Sequence, residues 1–331
     1  MSETNTLLQL LERWGSHATT RAAEVLVQDI EAELLLAPLR SLAQHRRDLL
    51  RSSLVTLACA AVGGKAEEAT PAATAMVLEG YYLGVLDDII DKSREKLFRP
   101  TLSGKYGADA VLLVSIIIDA KAHHALSELL GRLDSTQYVD VSATFQDFLV
   151  RMMEGEALNV RVKQQGVVDS QDLLKVFEKQ AADVEACTRL GAIIGGASTT
   201  HVESLAKYGR TLGILLLLND DNRDAFHLTL ELDDKIRSGS YPYPLMWAAN
   251  HSMAFQQFLQ SLNQKKSISP KDVKHCVAFL FDSGAVTHVR ELMKKMATEA
   301  VSTLGDLKDS EAKRALDFIA TRQPYVVLGR S

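Results

Sequence analysis

Proline is scarce in this chain, 7 in 331 residues, and cysteine scarcer still, at 3. With so few helix breakers, charged residues that interrupt apolar ones every three or four positions, from 7–11 through 312–319, point to an all-α protein. Cys59, Cys187 and Cys276 are odd in number, far apart and without metal-ligand spacing. They exclude a disulfide framework and read as small core residues of a reducing compartment, so the expected location is cytoplasmic. An excess of positive charge is absent too: 37 Lys and Arg face 42 Asp and Glu, a net charge of -5. Counterion release then has no basic face to act through, and nucleic acid is set aside as a partner. The start, MSETNTLLQLLERWGSH, lacks the basic lead and apolar run of a secretion signal. The most apolar runs, 110–118 and 212–218, fall well short of the roughly 20 residues of a spanning helix, so no membrane span is expected. No Gly/Ser linker or shift in composition divides the chain, and 1–331 reads as a single domain with 47% hydrophobic residues to build its core.

Breakers divide the sequence into helix candidates at 18–36, 39–62, 71–91, 109–133, 136–162, 170–194 and 202–221, with shorter ones beyond. Thr70 ahead of Pro71, and Asp169 ahead of Ser170, have the chemistry of helix starts. Gly63-Gly64, the 104–107 stretch and Gly195-Gly196 supply stops or bends. Two candidates end alike. One runs into DDIID, with Asp87, Asp88 and Asp91; another runs into NDDNRD, with Asp220, Asp221 and Asp224. At about 100° per residue the first and fifth positions stack on one helix face with the second on its flank, so three carboxylates converge at each end. A single such cluster is ordinarily solvated surface. Two of the same spacing, each behind a long apolar helix, would gather six carboxylates that repel one another unless cations intervene. Hard oxygen ligands suit Mg2+, which bridges readily to phosphate oxygens. Leu83 and Leu216, one turn before the acids, would line an apolar well beneath the metals. Metals over such a well describe a site for a diphosphate with a hydrocarbon tail.

With these motifs the sequence resembles the trans-isoprenyl diphosphate synthases, or polyprenyl synthetase family, over about 39–244 and in matching order. DDIID looks like the family's first aspartate-rich motif, and YGRTLGILLLLNDDNRD like the stretch carrying the second. Between them, RMMEGEALNV resembles its glycine-acid or glycine-glutamine helix, and EKQAADVEACTRLGAIIGGAS its lysine-threonine helix. The resemblance implies one isoprenoid-synthase-type helical bundle around a central cavity, usually a homodimer. It also implies a prenyl diphosphate substrate and Mg2+, three ions, with Mn2+ able to substitute. By carry-over, Asp87, Asp88, Asp91, Asp220, Asp221 and Asp224 would be the metal ligands and Lys179 the phosphate-binding lysine, with Gln180 at the threonine position. Glu156 would orient a metal-bound water. Tyr82, with Tyr81 beside it, lies on the wall that family members use to limit length, which implies a chain of about 10 to 20 carbons.

The family's second substrate, isopentenyl diphosphate, is bound through basic residues, and these are depleted. Of the glycine-lysine-arginine-x-arginine-proline stretch only Arg51 survives; Asp48 and Leu49 replace its lysine and arginine. The later paired arginines align with Lys96 and Leu97, with Arg94 and Arg99 close by, and Ser240 replaces a further lysine. Replacing lysine by Asp48 adds repulsion to the loss of a charge-assisted bond. The expectation is an enzyme that ionises an allylic diphosphate and then cyclises it, captures water or transfers it to a non-standard acceptor, as terpene synthases do. One alternative is ordinary chain elongation with phosphate contacts moved to Arg46, Arg47, Arg94 and Arg99. The other is a non-catalytic partner subunit, which would not need both acid motifs. The neighbouring His123 and His124 point about 100° apart and do not form a chelating pair.

Overall fold

The computed structural model describes residues 3–45, 48–96, 99–226, 230–265 and 267–322. Its elements are helices joined by short connections. The first half holds α1 (Glu3–Val27), α2 (Glu33–His45), α3 (Leu49–Ala61), α4 (Thr70–Ile90), α5 (Leu102–Tyr106), α6 (Ala108–Ser127) and α7 (Ser135–Gln165). There follow α8 (Ser170–Gln180), α9 (Ala182–Ile194), α10 (Thr199–Phe226), α11 (Leu230–Ser238) and α12 (Tyr243–Asn250). The chain continues through α13 (Met253–Asn263), α14 (Pro270–Asp282), α15 (Ala285–Thr303) and α16 (Glu311–Arg322). Among the described residues the one departure from helix is a minimal antiparallel hairpin, β1 (Glu95–Lys96) and β2 (Arg99–Pro100).

Several boundaries differ from the sequence-based expectation, for local reasons. The 18–36 candidate belongs to two helices, because Asp29 turns the chain at a φ of 56° after α1. The 39–62 candidate is also divided: Asp48 starts α3 afresh, its carboxylate accepting the Arg51 N–H. The 170–194 candidate breaks at Ala181, between α8 and α9. Thr70 is not a cap; a 3-10 turn at Ala66–Ala69 leads straight into α4, so Thr70 is already helical and Pro71 sits in the first turn. Asp169 does cap α8, and Asp134 with Gln137 forms a reciprocal capping box at the head of α7.

At the centre lies α9, buried along nearly its whole length against α3 and α10. Glycine makes those approaches possible. A methyl group on Gly191 would lie 2.1 Å from the Val55 carbonyl oxygen of α3, and one on Gly209 of α10 would lie 2.6 Å from the Val184 carbonyl oxygen of α9. Within α4, every residue from Thr70 to Glu79 is buried, whereas Tyr82, Leu83 and Asp87 are half-buried. The helix thus carries Asp87 out of the core to a rim, while Asp88 stays buried. Cys59, Cys187 and Cys276 are buried free thiols, as expected, and burial pushes Cys59 and Cys276 up to about 12. α6 alone among the described helices is long and apolar enough to pass a length-and-composition test for crossing a membrane, a test that core helices also pass; 44% of that stretch is buried within the fold. Its outer face exposes Leu112, Leu113 and Ile116.

Glu79 is fully buried, and the Asp119 side chain of α6 is the polar group that interacts with its carboxyl. Burial, reinforced by the Asp119 carboxylate of α6, pushes its pKa up to about 9, so it is a neutral acid at pH 7. Raised in the folded state from an ordinary value of 4.5, this group stabilises fully below that value and loses its contribution as pH rises through about 9. Thermal melts of the parent chain and a Glu79→Gln variant should therefore diverge between about pH 5 and about pH 10, the parent losing stability relative to the variant. Parallel melts would contradict this.

Candidate active site

Asp87 and Asp88 lie in the last turn of α4, and Asp91 caps its end, where Lys92 turns the chain at a φ of 52°. The hairpin that follows brings the Lys96 ammonium 2.8 Å from Asp87 Oδ2, as a hydrogen bond. The same ammonium lies 2.6 Å from Asp88 Oδ1, an ion pair without hydrogen-bond alignment. Lys163, from the last turn of α7, reaches Asp91 Oδ1 at 2.6 Å. Two turns earlier on α7, Glu156 completes the cluster: one oxygen each from Asp87, Asp91 and Glu156 lie within 4.8 Å of one another. Glu156 is half-buried, with Asn159 Nδ2 at 3.3 Å and Gln180 Nε2 at 3.1 Å. Burial raises its pKa, Lys163 and Asn159 oppose, and the Asp87 and Asp91 charges add to the rise. Gly155 allows this meeting of helices, since a methyl group there would lie 3.0 Å from both Lys179 Cβ and Gln180 Cγ on α8. Lys179 itself is half-exposed and pairs with Glu154.

The second acids lie near the end of α10. Asp224 is buried, with Lys235 Nζ of α11 2.5 Å from its Oδ2; the same ammonium is 3.8 Å from Asp221 Oδ1. Arg223 lies 3.4 Å from Asp220 and 3.5 Å from Asp224. The backbone N–H of Tyr243, at the head of α12, donates to Asp221 Oδ2 at 2.8 Å. Burial pushes Asp221 up to about 6 despite Lys235 and that N–H, and Asp224 and Asp220 add their repulsion. Leu83 and Tyr82 on α4 and Leu216 on α10 are half-buried, packed against the core one turn or so before the acids.

Arg51 is engaged within the protein. Its Nη1 donates to Asp48 Oδ2 at 2.5 Å and its Nη2 to the buried carboxylate of Asp183 on α9. Burial alone would lower its pKa, but the two carboxylates outweigh burial and hold the guanidinium above its ordinary value. Arg94 and Arg99 flank Lys96 on the hairpin, both exposed, with no ion pair among the described residues. Ser240 is half-buried, its N–H donating to the Lys235 carbonyl at 2.8 Å. Arg46, Arg47, Leu97 and Arg330 lie outside the described residues. His123 approaches Asp119 at 3.7 Å and stacks edge-on against Phe145.

Sequence reasoning missed three residues of this region. Lys163 follows Glu156 by seven positions, which on a helix returns to the same face, and that periodicity could have found it. Lys235 and Asp183 carried no local signal, because each meets its partners from a different helix. The donor set, hard oxygens only and close enough to share one ion, fits a divalent cation such as Mg2+.

Residues 32–280 match the polyprenyl synthetase family. Geranylgeranyl diphosphate synthase of Methanosarcina mazei is 24% identical over 96% of this chain and 98% of its own. A short chain isoprenyl diphosphate synthase of Methanothermobacter thermautotrophicus is 28% identical over 66% of each. The crystal structure of geranylgeranyl pyrophosphate synthetase from Pyrococcus horikoshii superposes with a TM-score of 0.86 at 22% identity, over 96% of this chain and 99% of that one, and so shares its all-α fold. With the acid motifs, the connecting helices and the bundle in agreement, this chain is an enzyme of the polyprenyl synthetase family.

Proposed function

We propose that the chain ionises a short allylic prenyl diphosphate, of about 10 to 20 carbons, and that the resulting carbocation is consumed by cyclisation, by water or by a non-standard acceptor. The observation that carries the first half is the carboxylate cluster of Asp87, Asp91 and Glu156 at the rim end of a buried helix. Asp88, Asp220, Asp221 and Asp224 would complete the metal-binding set. Three Mg2+ ions, or Mn2+ in their place, would neutralise charge on the departing diphosphate. Lys179 grips the same diphosphate as a point charge, a role its half-exposed ammonium supports. Gln180 and Asn159 hold the Glu156 carboxylate in place. Tyr82, Leu83 and Leu216 line the well and exclude water from the cation. Engagement of Arg51 by two carboxylates supports a fate other than addition to isopentenyl diphosphate.

Chain elongation is a second reading, favoured by the geranylgeranyl diphosphate synthases among the relatives and by the exposed Arg94, Lys96 and Arg99 beside the first acids. Exposed Leu112, Leu113 and Ile116 support a homodimer through α6. The buried free thiols support a cytoplasmic location.

With Mg2+ and geranyl, farnesyl or geranylgeranyl diphosphate alone, the protein should release diphosphate and form a hydrocarbon or alcohol, and Tyr82→Ala should shift its preference to the longer substrates. Silence with each substrate alone, followed by ready extension once isopentenyl diphosphate is added, would establish elongation instead. Asp87→Ala and Asp224→Ala should each weaken Mn2+ binding and cut diphosphate release at least about a hundredfold, since a metal ligand supplies several kcal/mol and each tenfold is about 1.4 kcal/mol. Parental turnover in either variant would remove that residue from the metal set. Ile116→Glu should convert a dimer to a monomer in light scattering; a parent chain that is already monomeric rules the α6 interface out.

A further inference from the structure

The pocket around Arg51 contains two acids for one base. Asp48 at the head of α3 accepts from the Arg51 backbone N–H at 3.0 Å and from Nη1 at 2.5 Å. Asp183 of α9 accepts from Nη2 with one oxygen and from the Val184 N–H, at 2.6 Å, with the other. The Asp48 and Asp183 side chains are 14% and 7% exposed, so little solvent screens them from the guanidinium. Of the other Arg51 donors, Nε is buried without a partner, and Nη1 and Nη2 each keep a second N–H. α4 closes over the group at Gly80, where a methyl would lie 2.6 Å from Asp48 Oδ2 and 3.2 Å from Arg51 Nη1. This arginine is therefore fixed from α3, α4 and α9 together, and the cluster as a whole carries one negative charge.

Resting on the reading that Arg51 is the surviving base of the second-substrate pocket, we propose that Asp183, acting with Asp48, sets acceptor specificity: the pair turns Arg51 into a structural cation and excludes an anionic acceptor, leaving uncharged or cationic ones. To reach the second N–H of either terminal nitrogen, an incoming diphosphate would have to give up its hydration and sit beside two shielded carboxylates. An uncharged nucleophile meets neither cost, and an ammonium is attracted.

Isothermal titration of isopentenyl diphosphate into the full chain in EDTA separates this pocket from the metal-dependent one. Asp48→Asn with Asp183→Asn keeps side-chain volume and helix capping while leaving Arg51 unneutralised. The double variant should bind at least about tenfold more tightly than the parent, the worth of one charge-assisted contact, and adding Arg51→Ala should erase the gain. Equal affinity of parent and double variant, or a gain that survives Arg51→Ala, overturns the proposal. If circular dichroism shows the double variant unfolded, Asp183→Asn alone, with the natural cap at Asp48, is held to the same direction, and its failure to gain affinity is equally decisive. Turnover of the allylic diphosphate by the parent with Mg2+ is read separately: its absence sinks the proposed function and leaves the titration's result on Asp183 standing.

Discussion

Aspartates gathered at two helix ends repel one another, and much of the surrounding structure serves to hold them there. Two like charges 4 Å apart cost about 1 kcal/mol in water and roughly four times that near a protein surface. Three lysines offset this, each from a different element: Lys96 from the hairpin, Lys163 from the end of α7 and Lys235 from α11. Ammonium groups on flexible stems can exchange a carboxylate for a diphosphate oxygen without reshaping the backbone. Arginines fill the opposite role. Glu185, buried on α9, accepts from Arg151 of α7 at 2.8 Å and from Arg210 of α10 at 2.7 and 2.8 Å, forked contacts that tie three helices together. Arg223, between Asp220 and Asp224, is the exception, an arginine at the acids themselves.

The scaffold's rigidity matters because the acid cluster is assembled from separate helices. Arg151 fixes α7 to α9 only five residues before Glu156, and Gly155 sets α7 against Lys179 and Gln180 between those two points. Glu156 can then meet Asp87 and Asp91 only if α4 holds its depth in the core, which its buried first half ensures. A shift of α9 would move α7, α10 and Arg51 together, since all of them bond to Asp183 or Glu185. The close glycine contacts of α9 with α3 and of α10 with α9 leave little room for such a shift.

What the sequence made legible was local. Acids at the first, second and fifth positions of a helix end share a face by helix geometry alone, and the apolar turns before them follow from the same periodicity. The all-α class was equally plain from the rarity of breakers. Helix continuity was less so: the breaks at Asp48 and Ala181 occur in stretches that periodicity reads as unbroken, and at Asp48 the side chain starts a new helix by bonding its third neighbour. Lys235 and Asp183 were illegible, because their partners lie 11 and 132 positions away. Arg51 stood out in the sequence as a surviving base, yet its surroundings depend on an acid from another helix that no motif marks.

Family membership alone leaves the acceptor open, because one fold can serve several chemistries. In the basic stretch around Arg51 this chain departs from the family pattern, with Asp48 and Leu49 in place of lysine and arginine. An arginine has five N–H donors, and Arg51 commits one from each terminal nitrogen to its own carboxylates, so a substrate anion would share the guanidinium with two acids. In this structure Nη1 and Nη2 face Asp48 and Asp183, both well shielded from solvent, and breaking either contact would strand a buried charge. Arg94 and Arg99 are exposed on the hairpin beside Lys96, which pairs with the first acids. The charges are therefore arranged unequally: cations are exposed beside the first acids, while Arg51 is engaged by Asp48 and Asp183.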